Sequence, residues 1–203
     1  MRSLPAFAIL IGLAGSTGAG GAEPVRLGVY LQAPASTSAE VLESLRLEVE
    51  RVVSRPGIQV HWRNQIDGNE AFHRVLVVRL RGSCTTELPA VLRRPAALGS
   101  THVNNGRVQP FIDISCDQVT SALSRNWDWP TPRIPGDLYG RALARVVSHE
   151  IVHALTESVD HDECGLMKPF FDRHDLLARN LSLAPPSLAR LDRALSLGIR
   201  GAD

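Results

Sequence analysis

From Asp137 to Glu157 the chain runs DLYGRALARVVSHEIVHALTE. Leu143, Val147, Ile151, Ala154 and Leu155 recur at helical spacing, so a long amphipathic helix is expected here, with its apolar stripe packed on a sheet. His149 and His153 are four residues apart, about 40° round such a helix, so both imidazoles leave from one face. They fall at the edge of the stripe, beside Ala142 and Val146, on a boundary between core and cleft. Glu150 leaves about 100° further round.

Working outward, Val25 to Leu31 alternates and is β-rich, a first strand. Ser36 to Glu40 opens a helix carrying Leu42, Leu45, Leu47 and Val49 or Val52, which Pro56-Gly57 ends. Ile58 to Trp62 reads as a second strand. Val75 to Leu80 is a third, and its continuous apolar run predicts cover on both faces. Thr101 to Val103 and Val108 to Ile114 flank Asn104-Asn105-Gly106, a strong hairpin signal. Asn126 to Gly136 is a proline-rich loop with Trp127 and Trp129. After the long helix, two shorter ones are expected, Asp172 to Arg179 and Ser187 to Leu197. The order of strands, hairpin and helices implies an α+β fold, a mixed sheet with helices packed on it.

The composition sets bounds. With 203 residues, 44% of them hydrophobic and 21% charged, the chain has the make-up of one globular domain. A net charge of +1 excludes a dedicated nucleic-acid binder, and only one residue, Lys168, is lysine. Arg2, the short apolar run Leu4 to Ala14 and the small residues ending at Ala22 form the pattern of a secretory signal peptide over residues 1–22. That run is shorter than the roughly 20 residues a membrane span needs. Residues 23–203 are then one exported domain without a membrane span, secreted or periplasmic, and expected to be a monomer. In an oxidising compartment two of the three cysteines should pair, and Cys84 with Cys116 is the favoured pair. Cys164 sits beside the histidine motif.

His149-Glu150-Ile151-Val152-His153 is an H-E-x-x-H sequence. With 7 histidines and 10 glutamates in the chain, chance produces one with a probability of only roughly 1%. Two imidazoles on one helical face suit Zn²⁺, and the adjacent carboxylate can take a proton from a water that the metal acidifies. A catalytic zinc site needs a third protein ligand. Glu157 lies too far along the helix axis to converge. His161, past the helix end, is favoured because a returning chain presents it from the opposite side; Asp160, Asp162 and His174 remain alternatives.

Together with Cys164-Gly165-Leu166-Met167, these residues resemble the metzincin clan of zinc peptidases, whose pattern is H-E-x-x-H-x-x-G-x-x-H followed by a methionine-bearing turn. The resemblance covers Asp137 to Pro169 closely and the rest by element order. It implies a mostly parallel twisted sheet, an active-site helix followed by a Met-turn and C-terminal helices. It also implies His149, His153 and His161 as zinc ligands, Glu150 as general base and Met167 as the apolar floor of the site. The chain departs from the pattern at Thr156, which replaces the helix-ending glycine, and at Val159, where the third histidine usually stands. Gluzincins, the competing clan, need a glutamate on a later helix, and none follows Glu163.

The expected activity is therefore hydrolysis of peptide bonds in a protein or peptide substrate, with no nucleic-acid partner. A zinc-binding module without turnover, serving interaction with a partner, is the alternative. Val108 to Ile114 could be an edge strand that receives an extended peptide, or an internal one. His61, His73 and His102 have no partner spacing and read as ordinary.

Overall fold

A computed structural model describes residues 24–200 apart from 55–56, 66–68 and 126–130, with only the backbone described for 197–200. The expected leader, residues 1–22, and the two loop tryptophans, Trp127 and Trp129, lie outside the described residues. The strands are β1 (Val25–Gln32), β2 (Ile58–Arg63), β3 (Arg74–Arg81), β4 (Gly99–Asn104) and β5 (Arg107–Ser115). They form one sheet in the order β2-β1-β3-β5-β4. The three pairings β1 with β2, β1 with β3 and β3 with β5 are parallel, and β4 with β5 is antiparallel. The sheet is thus mixed and mostly parallel, as expected. The hairpin also forms where Asn105 and Gly106 sit, both at positive φ (50° and 73°), as a tight two-residue turn requires.

Of the two places open to β5, the sheet gives it the internal one, and the outer position belongs to β4. One strand expectation is corrected. β3 is not covered on both faces: Leu76, Val78 and Leu80 are buried, but Val75 is 42% exposed. The helices pack on one face only. The other carries polar groups such as Asp113, which accepts from Arg79 (2.7 and 2.8 Å) and contacts His102 Nε2 at 2.6 Å. His73 also serves the sheet, its Nδ1 accepting from the Arg26 amide at 2.9 Å.

The helices are α1 (Ala39–Val53), α2 (Cys116–Ser124), α3 (Gly136–Thr156), α4 (Arg173–Leu177) and α5 (Pro185–Arg200). α1 starts on Ser38, whose hydroxyl accepts from the Val41 amide at 3.3 Å. The sequence reading has no counterpart of α2. It follows β5 with no linker, and its Asp117, Gln118, Thr120 and Ser121 look like turn residues. Ser115 caps it, accepting from the Gln118 amide, while Cys116, Val119 and Leu123 bury one face. Thr120 avoids an unpaired buried hydroxyl by donating to the Cys116 carbonyl at 2.9 Å. The Cys84–Cys116 disulfide, Cα atoms 5.0 Å apart, ties the start of α2 to the segment after β3; Cys164 is free and exposed.

α3 is the centre of the molecule rather than a surface helix. Of the predicted stripe, Leu143, Val147, Ile151 and Leu155 are buried and Ala154 is partly buried, but Ala144, Arg145, Ser148, His149, Glu150, Val152 and His153 are buried too. α1 covers one side, β4 and β5 another, and α4 and α5 the rest. Arg145, with no exposed side-chain surface, survives there because its guanidinium donates to Glu48 on α1 (3.1 Å) and to the carbonyls of Asp175 (2.6 Å) and Ala178.

Candidate metal centre

The two central histidines emerge from α3 one turn apart, each 7% exposed. Their Nε2 atoms stand 3.0 Å apart. α3 then continues through Thr156, whose hydroxyl donates to the Val152 carbonyl at 2.7 Å, and closes at Glu157 in the left-handed conformation (φ 49°). The turn that the glycine of the H-E-x-x-H-x-x-G pattern makes is thus made one residue later. The chain that returns from this turn brings back His161. Among the described residues, His149, His153 and His161 form a group whose ligand nitrogens all lie within 4.8 Å of one another. A tetrahedral zinc with bonds of about 2.0–2.1 Å would space them by roughly 3.3 Å. The donor set fits a metal of that kind.

Hydrogen bonding fixes which nitrogen each ring offers. His149 Nδ1 donates to the Leu166 carbonyl at 2.8 Å, and His153 Nδ1 to the Ser158 carbonyl at 2.7 Å. A carbonyl only accepts, so both Nδ1 atoms carry hydrogens and both Nε2 lone pairs point inward. Burial pushes His149 down to about 4, with His153 and His161 adding to the effect, and burial lowers His153 as well. At neutral pH two bare nitrogens therefore face each other, a repulsive arrangement that a shared cation relieves.

Glu150 lies beside them, 6% exposed but lining a cleft of about 1270 Å³ with His149 and His161. Burial raises its pKa, against the Thr101 hydroxyl, which lies 2.8 Å from Oε2. Thr101 belongs to β4, and Gly99 explains how that strand comes so near. A Cβ at Gly99 would lie 2.8 Å from Val146 Cγ1 and 3.0 Å from Glu150 Cγ. Neither residue was found by sequence reasoning. Both sit some 50 positions upstream, where only sheet register reveals them. Leu98 and Ala97 continue this wall, and Phe170 and Phe171 stand on the other. Phe171 sets its ring across His149, centroids 5.4 Å apart.

The other candidates for third ligand are placed elsewhere. The Asp162 carboxylate engages Ser187 and Arg190 of α5. His174 groups with Asp172 and Asp175, and Asp160 lies outside both groups. Met167 is buried in a single 3-10 turn, Gly165–Met167, whose Leu166 carbonyl holds His149.

No family model and no curated protein matches the chain. Among solved structures it is similar to the crystal structure of archaemetzincin from Methanopyrus kandleri, with 14% identity and a TM-score of 0.46, over 89% of this chain and 99% of that one. A likeness at that level says nothing about the chemistry of this site, which stands on the geometry above.

Proposed function

We propose that the chain is an exported zinc-dependent metallopeptidase, with His149, His153 and His161 as ligands and Glu150 as general base. The observation that carries this reading is the pair of inward Nε2 atoms, fixed by Nδ1–carbonyl bonds, with a buried carboxylate next to them on an open cleft. Zinc held there would polarise a scissile carbonyl and lower the pKa of water to about 7. Glu150 takes the proton that the attacking water releases, and delivers it to the departing amine nitrogen as the C–N bond gives way to C–O. Its raised pKa brings it nearer the working pH, and Thr101 steadies the carboxylate between the two transfers. β4 is at the edge of the sheet and its Thr101 touches Glu150, so an extended peptide added to that edge would lie near the site. Met167 serves as the apolar floor.

Residues 23–203 would act as one monomeric domain after removal of 1–22. The Cys84–Cys116 bridge suits an oxidising compartment. Among the described residues no helix is long and apolar enough to cross a membrane.

The test is metal analysis of the purified protein with cleavage of a broad peptide library. Stoichiometric zinc and cleavage by the wild type, with Glu150→Gln keeping the zinc and losing the cleavage, supports the reading. Zinc without any cleavage replaces it with a binding module, and no bound zinc ends both.

A further inference from the structure

His149 and His153 have their spacing set by a helix and their rings set by two carbonyls. His161 has neither aid. It lies outside every helix and strand, it is exposed, and among the described residues its ring makes no hydrogen bond. Beyond the contacts of its ring with His149 and His153 (centroids 5.2 and 4.9 Å), what holds it acts through the main chain.

Its neighbour is held at three points. The Asp162 amide donates to the Met167 carbonyl at 2.8 Å. The Asp162 carboxylate, with only 6% of its side chain exposed, accepts from the Ser187 hydroxyl and from the Arg190 guanidinium at 2.8 Å. Arg190 also donates to Ser187 Oγ at 2.6 Å, which closes the group. Ser187 is fully buried, and both partners lie near the start of α5, 25 and 28 residues further along the chain. The turn that orients His149 is tied to the segment leading into α5 as well, since the Leu166 amide donates to the Ser182 carbonyl at 2.9 Å.

We propose that Asp162, Ser187 and Arg190 form a clasp through which the C-terminal helix positions His161, so that docking of α5 and metal affinity are coupled. The inference rests on the metal-centre reading above. Asp162 is a positioning residue; its carboxylate is engaged by α5, outside the group of three histidines. With the clasp open, the third ligand is presented for only a fraction of the time, and affinity falls by that fraction. By reciprocity, metal bound at the histidines tightens the docking of α5.

The experiment measures zinc affinity of the full chain by competition with a chromophoric chelator, beside the thermal midpoint of the metal-free protein. Asp162→Asn is expected to weaken zinc by about 10–100-fold. Arg190→Gln should weaken it less, and the double variant little more than Asp162→Asn alone, because both break one group. Added zinc should slow amide exchange in α5 of the wild type and not of Asp162→Asn. If Asp162→Asn lowers the midpoint but binds zinc as tightly as wild type, the contact is merely structural and the proposal is overturned. Should that variant fail to fold, Arg190→Gln and Ser187→Ala decide by the same measure. A wild type that binds no zinc overturns the metal centre and the clasp together, an outcome distinct from loss of the clasp alone.

Discussion

Asp172, His174 and Asp175 lie as near one another as the three histidines do, every ligand atom in each group within 4.8 Å. The two groups differ in what those atoms are already doing. Asp172 accepts from the Asp175 amide at 2.8 Å and caps α4, while Asp175 accepts from Lys168 Nζ at 2.6 Å and from the Asp172 amide at 3.2 Å. Those carboxylates lie toward the surface and are engaged. For His149 and His153 the carbonyl bonds are on the far side of the rings, which leaves their inward nitrogens bare and buried. Proximity alone does not make a metal site; hydrogen bonding that turns lone pairs toward a common point does.

The contrast is broken or sharpened most strongly by His153→Ala against His174→Ala. The first should abolish stoichiometric zinc and all cleavage, and the second should leave both unchanged, measured by metal content and turnover. Equal losses would erase the distinction. Next is Glu150→Gln, expected to cost about 10²–10⁴ in kcat with zinc content preserved.

A smaller effect appears in the metal-free protein on acidification. His149 is held neutral down to about 4 in the fold, whereas in the unfolded chain it charges near 6.5. Between those values the unfolded state binds more protons, so stability falls as pH drops through that window, by about 3 kcal/mol for this residue alone. Glu150, raised by burial, works in the opposite sense, so Glu150→Gln should make the acid loss steeper. Denaturant titrations across the window check both, and a flat profile would show that the rings are not desolvated. The smallest effect is that of Asp172→Ala, which should cost about 1 kcal/mol by uncapping α4. Its zinc affinity should be that of wild type.

Much of this contrast was legible in the sequence, and the reason is local. Helical spacing alone puts His149, Glu150 and His153 on the cleft side of α3, and Asn105-Gly106 alone specifies the hairpin. What was not legible depends on chain segments meeting across the sheet. Thr101 reaches Glu150 only because β4 pairs antiparallel with β5, and no spacing rule links positions 101 and 150. α2 escaped notice because its polar residues favour turns in isolation and become helical once Cys116, Val119 and Leu123 have a core to enter. Asp162 stood among the alternatives to His161 because composition near a motif suggests ligands. Its actual partners wait on α5, and only the folded chain shows that the carboxylate is already taken.

The missing side chain at Gly99 has a further consequence. With no side chain there, β4 comes close enough to α3 for the Thr101 hydroxyl to hold the carboxylate of Glu150, which links strand and carboxylate. On the proposed reading, a substrate that tugged on that strand would also shift the proposed proton acceptor, so that grip and turnover would be mechanically one setting.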